Sequence, residues 1–458
     1  MRSNKLVYLS GLALIGFLVL LYFVFRPAVA VRSNILLITL DGLRVDHLSC
    51  YGYDRKTSPN IDALAEHGLI FKQIITSGCA TKTALTSLFT SLDYRSHKMS
   101  DNETVLNDKF LTLAEALQAQ GYATFGVVAT PWLQRDFNFQ QGFDRYVDFR
   151  EVAMKRRIVS SGMAANKVLN WLAKHGRQQP FFVYCHFEEP HPPWLEKSPW
   201  LAEEESSTKF FDAGCTYIPS KKESDQVSDQ KKRNLVAKYD GAILYADSHI
   251  GRIVAKLREM GLDKKTIIAI STDHGYELMD HGKASHAFCP YDEVVRIPLI
   301  IRRGAGANAA QTFARRGRIF DIGPTLLHLA GVPQPRQWEG TSLLQHNRVI
   351  PKYDFTFGFA VQAVRTARYK LVYQRIQSRK ANYWKSPGFE FYDLLADPGE
   401  TRDISALNLP EFMIMKKELA QYKKELYQKE FIPGTMSPRK ARLDKKTLNK
   451  LKTLGYIQ

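Results

Sequence analysis

Three stretches of this chain share one arrangement: an unbroken apolar run that ends in a carboxylate or an imidazole. Residues 33–40 run into Asp41, residues 181–185 into His186 and His191, and residues 266–272 into Asp273 and His274. Runs without polar alternation are strands with both faces covered, as in a parallel sheet. Amphipathic helical stretches lie between them, at 112–120 and 242–259. Strands alternating with helices predict an α/β fold, with a mostly parallel central sheet flanked by helices. Ligands of such sheets sit beyond the carboxyl ends of the strands. Three separate strands are therefore expected to deliver Asp or His side chains to one edge.

The pattern breaks in three places. Residues 6–25 are twenty in a row without a charge, flanked by Arg2, Lys5 and Arg26. That length crosses a hydrocarbon core of about 30 Å as one transmembrane helix, whereas a secretory signal has an apolar stretch of about 7–15 residues. We expect an N-terminal membrane anchor rather than a cleaved signal, although Ala28-Val29-Ala30 resembles a cleavage site. Either reading exports the catalytic part to the periplasmic or extracellular side. The polar stretch 197–233, with Glu203-Glu204-Glu205 and Lys221-Lys222-Glu223, reads as a surface loop or lid that shapes substrate choice. From about Pro351, strand-like runs at 363–373 and 389–394 precede a basic helical tail, which predicts a smaller C-terminal α+β subdomain. The expected organisation is an anchor at 1–32, a catalytic domain at 33–350 and a C-terminal subdomain at 351–458.

Composition adds a direction. The 458 residues suffice for one large domain and an appendage. Lys and Arg number 64 against 46 Asp and Glu, a net charge of +18 that favours anionic partners. No zinc-finger or RNP-type signature accompanies it. An anionic membrane surface and an anionic ester substrate are therefore expected, and nucleic acid is not. The five cysteines lack metal-type spacing, and an odd number cannot all pair within the chain.

A series of short motifs then points to one family. It starts with Asn34-Ile35-Leu36-Leu37-Ile38-Thr39-Leu40-Asp41-Gly42 and continues through Thr57-Ser58-Pro59-Asn60-Ile61-Asp62 and Gly68-Leu69-Ile70-Phe71. Ser87-Leu88-Phe89-Thr90, Tyr239-Asp240-Gly241, Asp273-His274-Gly275 and Arg296-Ile297-Pro298-Leu299-Ile300 follow in order. Asp321-Ile322-Gly323-Pro324-Thr325, Tyr392-Asp393-Leu394, Asp397-Pro398-Gly399-Glu400 and Leu454-Gly455-Tyr456 complete the set. Each is weak alone. In this order the chain resembles the sulfatase-like branch of the alkaline phosphatase superfamily.

The resemblance implies a nucleophile six residues before Ser87 and forty after Asp41, and both counts fall on Thr81 rather than on Cys79 or Thr83. A threonine at a helix start also serves as an N-cap, where backbone N–H groups favour a bound phosphate or sulfate. Sulfatases that use formylglycine need Cys or Ser in a Cys/Ser-x-Pro-x-Arg motif; here the proline and arginine positions are Thr83 and Leu85. Threonine cannot yield that aldehyde. The chain is similar instead to the threonine-nucleophile branch, the phosphoethanolamine transferases and lipoteichoic acid synthases. The likeness implies that the Thr81 hydroxyl, activated by a metal, attacks phosphorus and forms a phospho-threonine.

The same resemblance implies a metal at Asp41, Thr81, Asp273 and His274. Carboxylates with an imidazole suit zinc or manganese better than calcium. His191 and His286 are implied as active-site residues. With His186 and His97 they are candidates for binding substrate or a second metal, and His281 is a weaker one. Gly42 replaces the second aspartate of many sulfatases, and no Lys-x-His pair follows Gly121-Tyr122. The expected function is a metal-dependent hydrolase or transferase of phospho-esters. The alternatives are a sulfatase working without formylglycine and a catalytically inactive binding protein.

Overall fold

A computed structural model describes residues 32–99, 104–149, 159–178, 180–194, 198–200, 227–304, 309–374, 388–428 and 439–440. The candidate anchor at 6–25 lies outside them, as does most of the polar stretch 197–233. Among the described residues no helix is long and apolar enough to cross a membrane.

The three apolar runs form β1 (Asn34–Leu40), β5 (Phe181–Phe187) and β6 (Thr266–Thr272), every residue of them buried. The other strands of the main sheet are β2 (Leu69–Ile75), β3 (Ala123–Val128), β4 (Arg145–Val147), β7 (Arg296–Arg302), β8 (Gln311–Phe313) and β9 (Gly317–Arg318). The spatial order is β8-β2-β7-β6-β1-β5-β3-β4, with β9 also on β2. All pairings are parallel except those of β7, which runs against both β6 and β2. Two reversals in a row leave β2 parallel to β6, so its carboxyl end joins those of β1 and β6 at one edge.

Both faces of β1 are covered, which explains its unbroken apolar run. Leu36, Ile38 and Leu40 belong to a core with α3 (Ser161–His175) and α4 (Asp229–Glu259). Ile35 and Leu37 point the other way, into a core with α1 (Thr81–Thr90), α2 (Leu113–Gln118) and α5 (Ile322–Leu329). Helix α4 buries Leu235, Tyr239, Ile243, Ala246, Ile250 and Leu257, one face at helical spacing. It starts at Asp229, inside the stretch expected to be loop, because the Ser228 hydroxyl caps it by accepting from the Lys231 N–H.

After residue 350 a four-stranded antiparallel sheet runs β10 (Asp354–Phe357), β11 (Val361–Arg365), β12 (Tyr369–Gln374) and β13 (Gly388–Asp393). Helix α6 (Pro410–Gln428) packs on it through Phe412, Met415 and Leu419. The single run expected at 363–373 is a hairpin, turned where Thr366 N–H donates to Tyr369 O.

Candidate active site

β1 hands over to Asp41 while still paired: Asp41 N–H donates to Phe187 O at 2.9 Å. On its other side Leu40 is in register with Thr272, after which come Asp273 and His274. Two adjacent parallel strands thus end level and set their first loop side chains together. Ligand atoms of Asp41, Asp273 and His274 lie within 4.8 Å of one another, all three residues buried. His274 Nε2 is 3.3 Å from Asp273 Oδ2 and 3.8 Å from Asp41 Oδ1.

The protonation of this group follows from its partners. His274 Nδ1 lies 2.9 Å from Gly275 O. A carbonyl only accepts, so Nδ1 carries a hydrogen and the ring presents Nε2 to the carboxylates. Asp41 Oδ1 and Asp273 Oδ2 are buried without a hydrogen bond. Burial, and then the charge of Asp273, push Asp41 well above the usual carboxylate range. Burial opposes ionisation of Asp273 too, but His274 and His186 outweigh it and hold that carboxyl below its ordinary value. Two buried carboxylates without hydrogen bonds on their facing oxygens need positive charge between them. A divalent cation fits that donor set, and would let both carboxylates ionise.

Two glycines make the geometry possible. A Cβ on Gly275 would sit 1.9 Å from Glu293 O, so the loop after β6 could not pass there with any side chain. Gly42 has φ +73°, a left-handed conformation that disfavours the aspartate many sulfatases carry at this point.

Thr81 is the first residue of α1, at the carboxyl edge shared with β2. Its Oγ1 lies 3.4 Å from Asp41 Oδ2 and 3.4 Å from His274 Nε2. The expected capping role is not observed: the N-cap is Ala80 and no side chain caps the helix. The hydroxyl faces the ligand cluster instead. Thr83 is turned elsewhere, its hydroxyl donating to Met99 O at 2.6 Å. Cys79 is buried among Cys289, Tyr291 and Val295, and burial pushes its thiol up to about 12. Leu85, where the formylglycine motif has arginine, is fully buried in the apolar core beside Ala84 and Leu88.

Three more histidines meet here. His286 stacks on His274 at 4.1 Å between centroids, and His191 stands edge-on to His286 at 5.4 Å. Their Nδ1 atoms lie 2.7 Å from Cys79 O and 2.7 Å from Pro192 O. Both rings therefore donate from Nδ1 and keep Nε2 as a lone pair. Burial pushes His191 down to about 4 and, with His274 and His191 beside it, His286 well below its ordinary value. His186, on β5, has Nε2 3.5 Å from Asp41 Oδ2 and Nδ1 2.8 Å from Thr39 Oγ1.

His97 has neither ring nitrogen to spare. Its Nδ1 accepts from Met99 N–H at 3.1 Å, so Nε2 donates to Ser87 Oγ at 2.7 Å. It braces α1 from within the fold. His281 is likewise engaged, with Glu293 and the Glu400 carbonyl. Sequence reasoning missed Tyr276, whose ring lies 6.0 Å from His191 and 6.1 Å from His286. Its place just after Asp273-His274-Gly275 was the only signal.

A family model described as Sulfatase matches residues 33–332. The chain is 24% identical over 492 aligned positions to an N-acetylglucosamine-6-O-sulfatase of Bacteroides thetaiotaomicron, covering 86% of each. It is 25% identical to the multifunctional alkaline phosphatase superfamily protein PehA of Trinickia caryophylli, over 68% of this chain and 76% of that one. Among solved structures, one bound to its substrate D-glucosamine-2-N,6-O-disulfate superimposes with a TM-score of 0.70 at 19% identity, covering 87% of this chain and 98% of that one. The phosphonate monoester hydrolase of Agrobacterium radiobacter gives 0.68 at 19% identity, covering 86% and 96%.

Proposed function

This chain belongs to the sulfatase family and is a sulfo- or phospho-ester hydrolase, and we propose that it is a metal-dependent enzyme cleaving phospho-esters through an unmodified Thr81. One observation carries the reading: the Thr81 hydroxyl is 3.4 Å from both Asp41 Oδ2 and His274 Nε2, while Cys79 and Thr83 are turned away. Threonine cannot become formylglycine, so the attacking atom is the hydroxyl oxygen itself.

Asp41, Asp273 and His274, with Thr81 beside them, would hold the divalent ion, with zinc or manganese favoured by the mixed donors. When bound, it supplies positive charge that stabilises the ester's oxygens and acidifies the hydroxyl. Asp41 Oδ2 accepts the Thr81 hydrogen bond, orients Oγ1 and is in reach to take its proton. The Oγ1–phosphorus bond forms as the bond to the leaving oxygen breaks. His191 and His286 are neutral in the free protein. An arriving anion raises the pKa of a buried imidazole, so each can take up a proton with the substrate, bind its oxygens and protonate the leaving group. Water then cleaves the phospho-threonine and restores the hydroxyl; an acceptor alcohol in its place would make the reaction a transfer.

A second reading, sulfate ester hydrolysis without an aldehyde, is favoured by the sulfatases among the relatives. Comparative turnover of bis-phenyl phosphodiester and aryl sulfate separates the two: faster phosphodiester cleavage supports the first, and aryl sulfate alone the second. We also assign the catalytic unit to the exported face of a membrane, anchored by residues 6–25, with its basic surface near anionic lipid. Release of the protein from membranes by alkaline carbonate would contradict the anchor.

A further inference from the structure

The turn between β10 and β11 is tied by backbone hydrogen bonds to two segments of the catalytic edge. Phe357 N–H donates to Ser77 O at 3.1 Å, and Cys79 N–H donates to Phe357 O at 2.9 Å, just ahead of Thr81. At the tip of the turn, Phe359 N–H donates to Ala287 O at 3.0 Å, next to His286. A Cβ on Gly358 would collide with that same carbonyl, so the turn closes on the His286 loop only with glycine there. The two loops bring Phe359 and Phe288 together, with ring centroids 5.6 Å apart. Phe359 is 44% exposed and Phe288 half-buried, so the pair keeps apolar surface open to solvent where the surface meets the buried His286.

Turn tips ordinarily carry Gly, Asn, Asp or Ser, and a phenyl ring there is left in water at a cost. One exposed apolar side chain is ordinary; here two meet beside an imidazole of the site. The neighbouring sequence has the same character. Residues 355–364 hold no Asp, Glu, Lys or Arg, and neither do residues 284–291, in a chain with 24% charged residues. Such a wall offers no counter-charge to an ionic group, but contact and burial to an apolar one. We infer that Phe359 and Phe288 form a specificity wall at the mouth of the site, and that the ester cleaved carries an uncharged apolar or aromatic organic group beside its anion. The inference rests on an anion bound at His286, and neither on the choice of a phospho-ester nor on the nucleophile assigned above.

Methylphosphonate and phenylphosphonate share one anionic head and differ in the organic group. Both are tested as competitive inhibitors of full-length, zinc-loaded protein acting on whichever ester it turns over. Phenylphosphonate should bind about tenfold more tightly, the worth of one aromatic contact. Phe359→Ala should erase most of that ratio by weakening phenylphosphonate alone, and Phe288→Ala should do the same. Phe359 is exposed, so its truncation empties no core and that variant decides the matter even if Phe288→Ala fails to fold. Equal inhibition constants in the wild type, or a ratio that survives in Phe359→Ala, would overturn the inference and leave the anion site standing. Failure of both phosphonates to compete would refute the anion site itself, and the wall with it.

Discussion

Thr81 Oγ1 lies 3.4 Å from Asp41 Oδ2, although the two residues stand forty apart in the chain and on different elements. The contact exists because β2 is parallel to β1 and β6 through two antiparallel steps across β7. The strand preceding α1 therefore ends at the edge where β1 ends. Everything proposed for the chemistry depends on that meeting.

If the meeting is catalytic, Thr81→Ala should lose essentially all turnover and keep its fold. The hydroxyl caps nothing, so thermal stability should move little, less than the roughly 0.5–2 kcal/mol of a lost N-cap. Cys79→Ala and Thr83→Ala should stay active, since neither side chain reaches the ligand cluster. Steady-state rates with circular dichroism decide it; full activity in Thr81→Ala would put the register elsewhere.

Asp273→Ala should abolish turnover and remove the catalytic ion. The Asp273 carboxylate has a buried oxygen, Oδ2, that nothing in the described structure satisfies. Loss of one metal equivalent by elemental analysis is the expected result. Unchanged metal content would mean the ion binds elsewhere.

Anion binding should weaken as pH rises. Burial first, then His274, holds His191 down to about 4, so the free protein has it neutral at neutral pH. A bound phosphate raises that value, and binding takes up a proton in the interval between the two. Affinity for inorganic phosphate should then fall about tenfold per pH unit per proton in that interval. His191→Gln should flatten the slope; calorimetry in buffers of different ionisation heat measures it. A pH-independent affinity would exclude the proton uptake.

His97 carries a stability signature. Burial pushes it down to about 3, while an unfolded imidazole titrates near about 6.5. Between those values the unfolded chain binds one proton more than the native one, so stability rises with pH and is lost as pH falls. The contribution is about 1.4 kcal/mol per pH unit. Denaturant titrations at about pH 5 and about pH 6.5 should show a steeper loss in wild type than in His97→Gln. Parallel slopes would mean that the native ring is charged.

The sheet and the catalytic edge were readable because strands buried on both faces leave apolar runs, and because loops at their carboxyl ends carry the polar residues. Asp41, Asp273 and His274 were found that way, and Thr81 through the counts implied by the resemblance. The reversal of β7 was not readable, since a buried antiparallel strand is as apolar as a parallel one. His97 looked like a candidate ligand because a sequence shows a histidine but not the Met99 N–H and Ser87 hydroxyl that occupy its ring.

The most direct measurement of the central claim is intact-mass analysis with peptide mapping after rapid quench of turnover on a phosphodiester. A phosphoryl adduct on Thr81, absent from Thr81→Ala, is the predicted result. Turnover with no adduct on Thr81, an adduct on Thr83, or an aldehyde at Cys79 would contradict it.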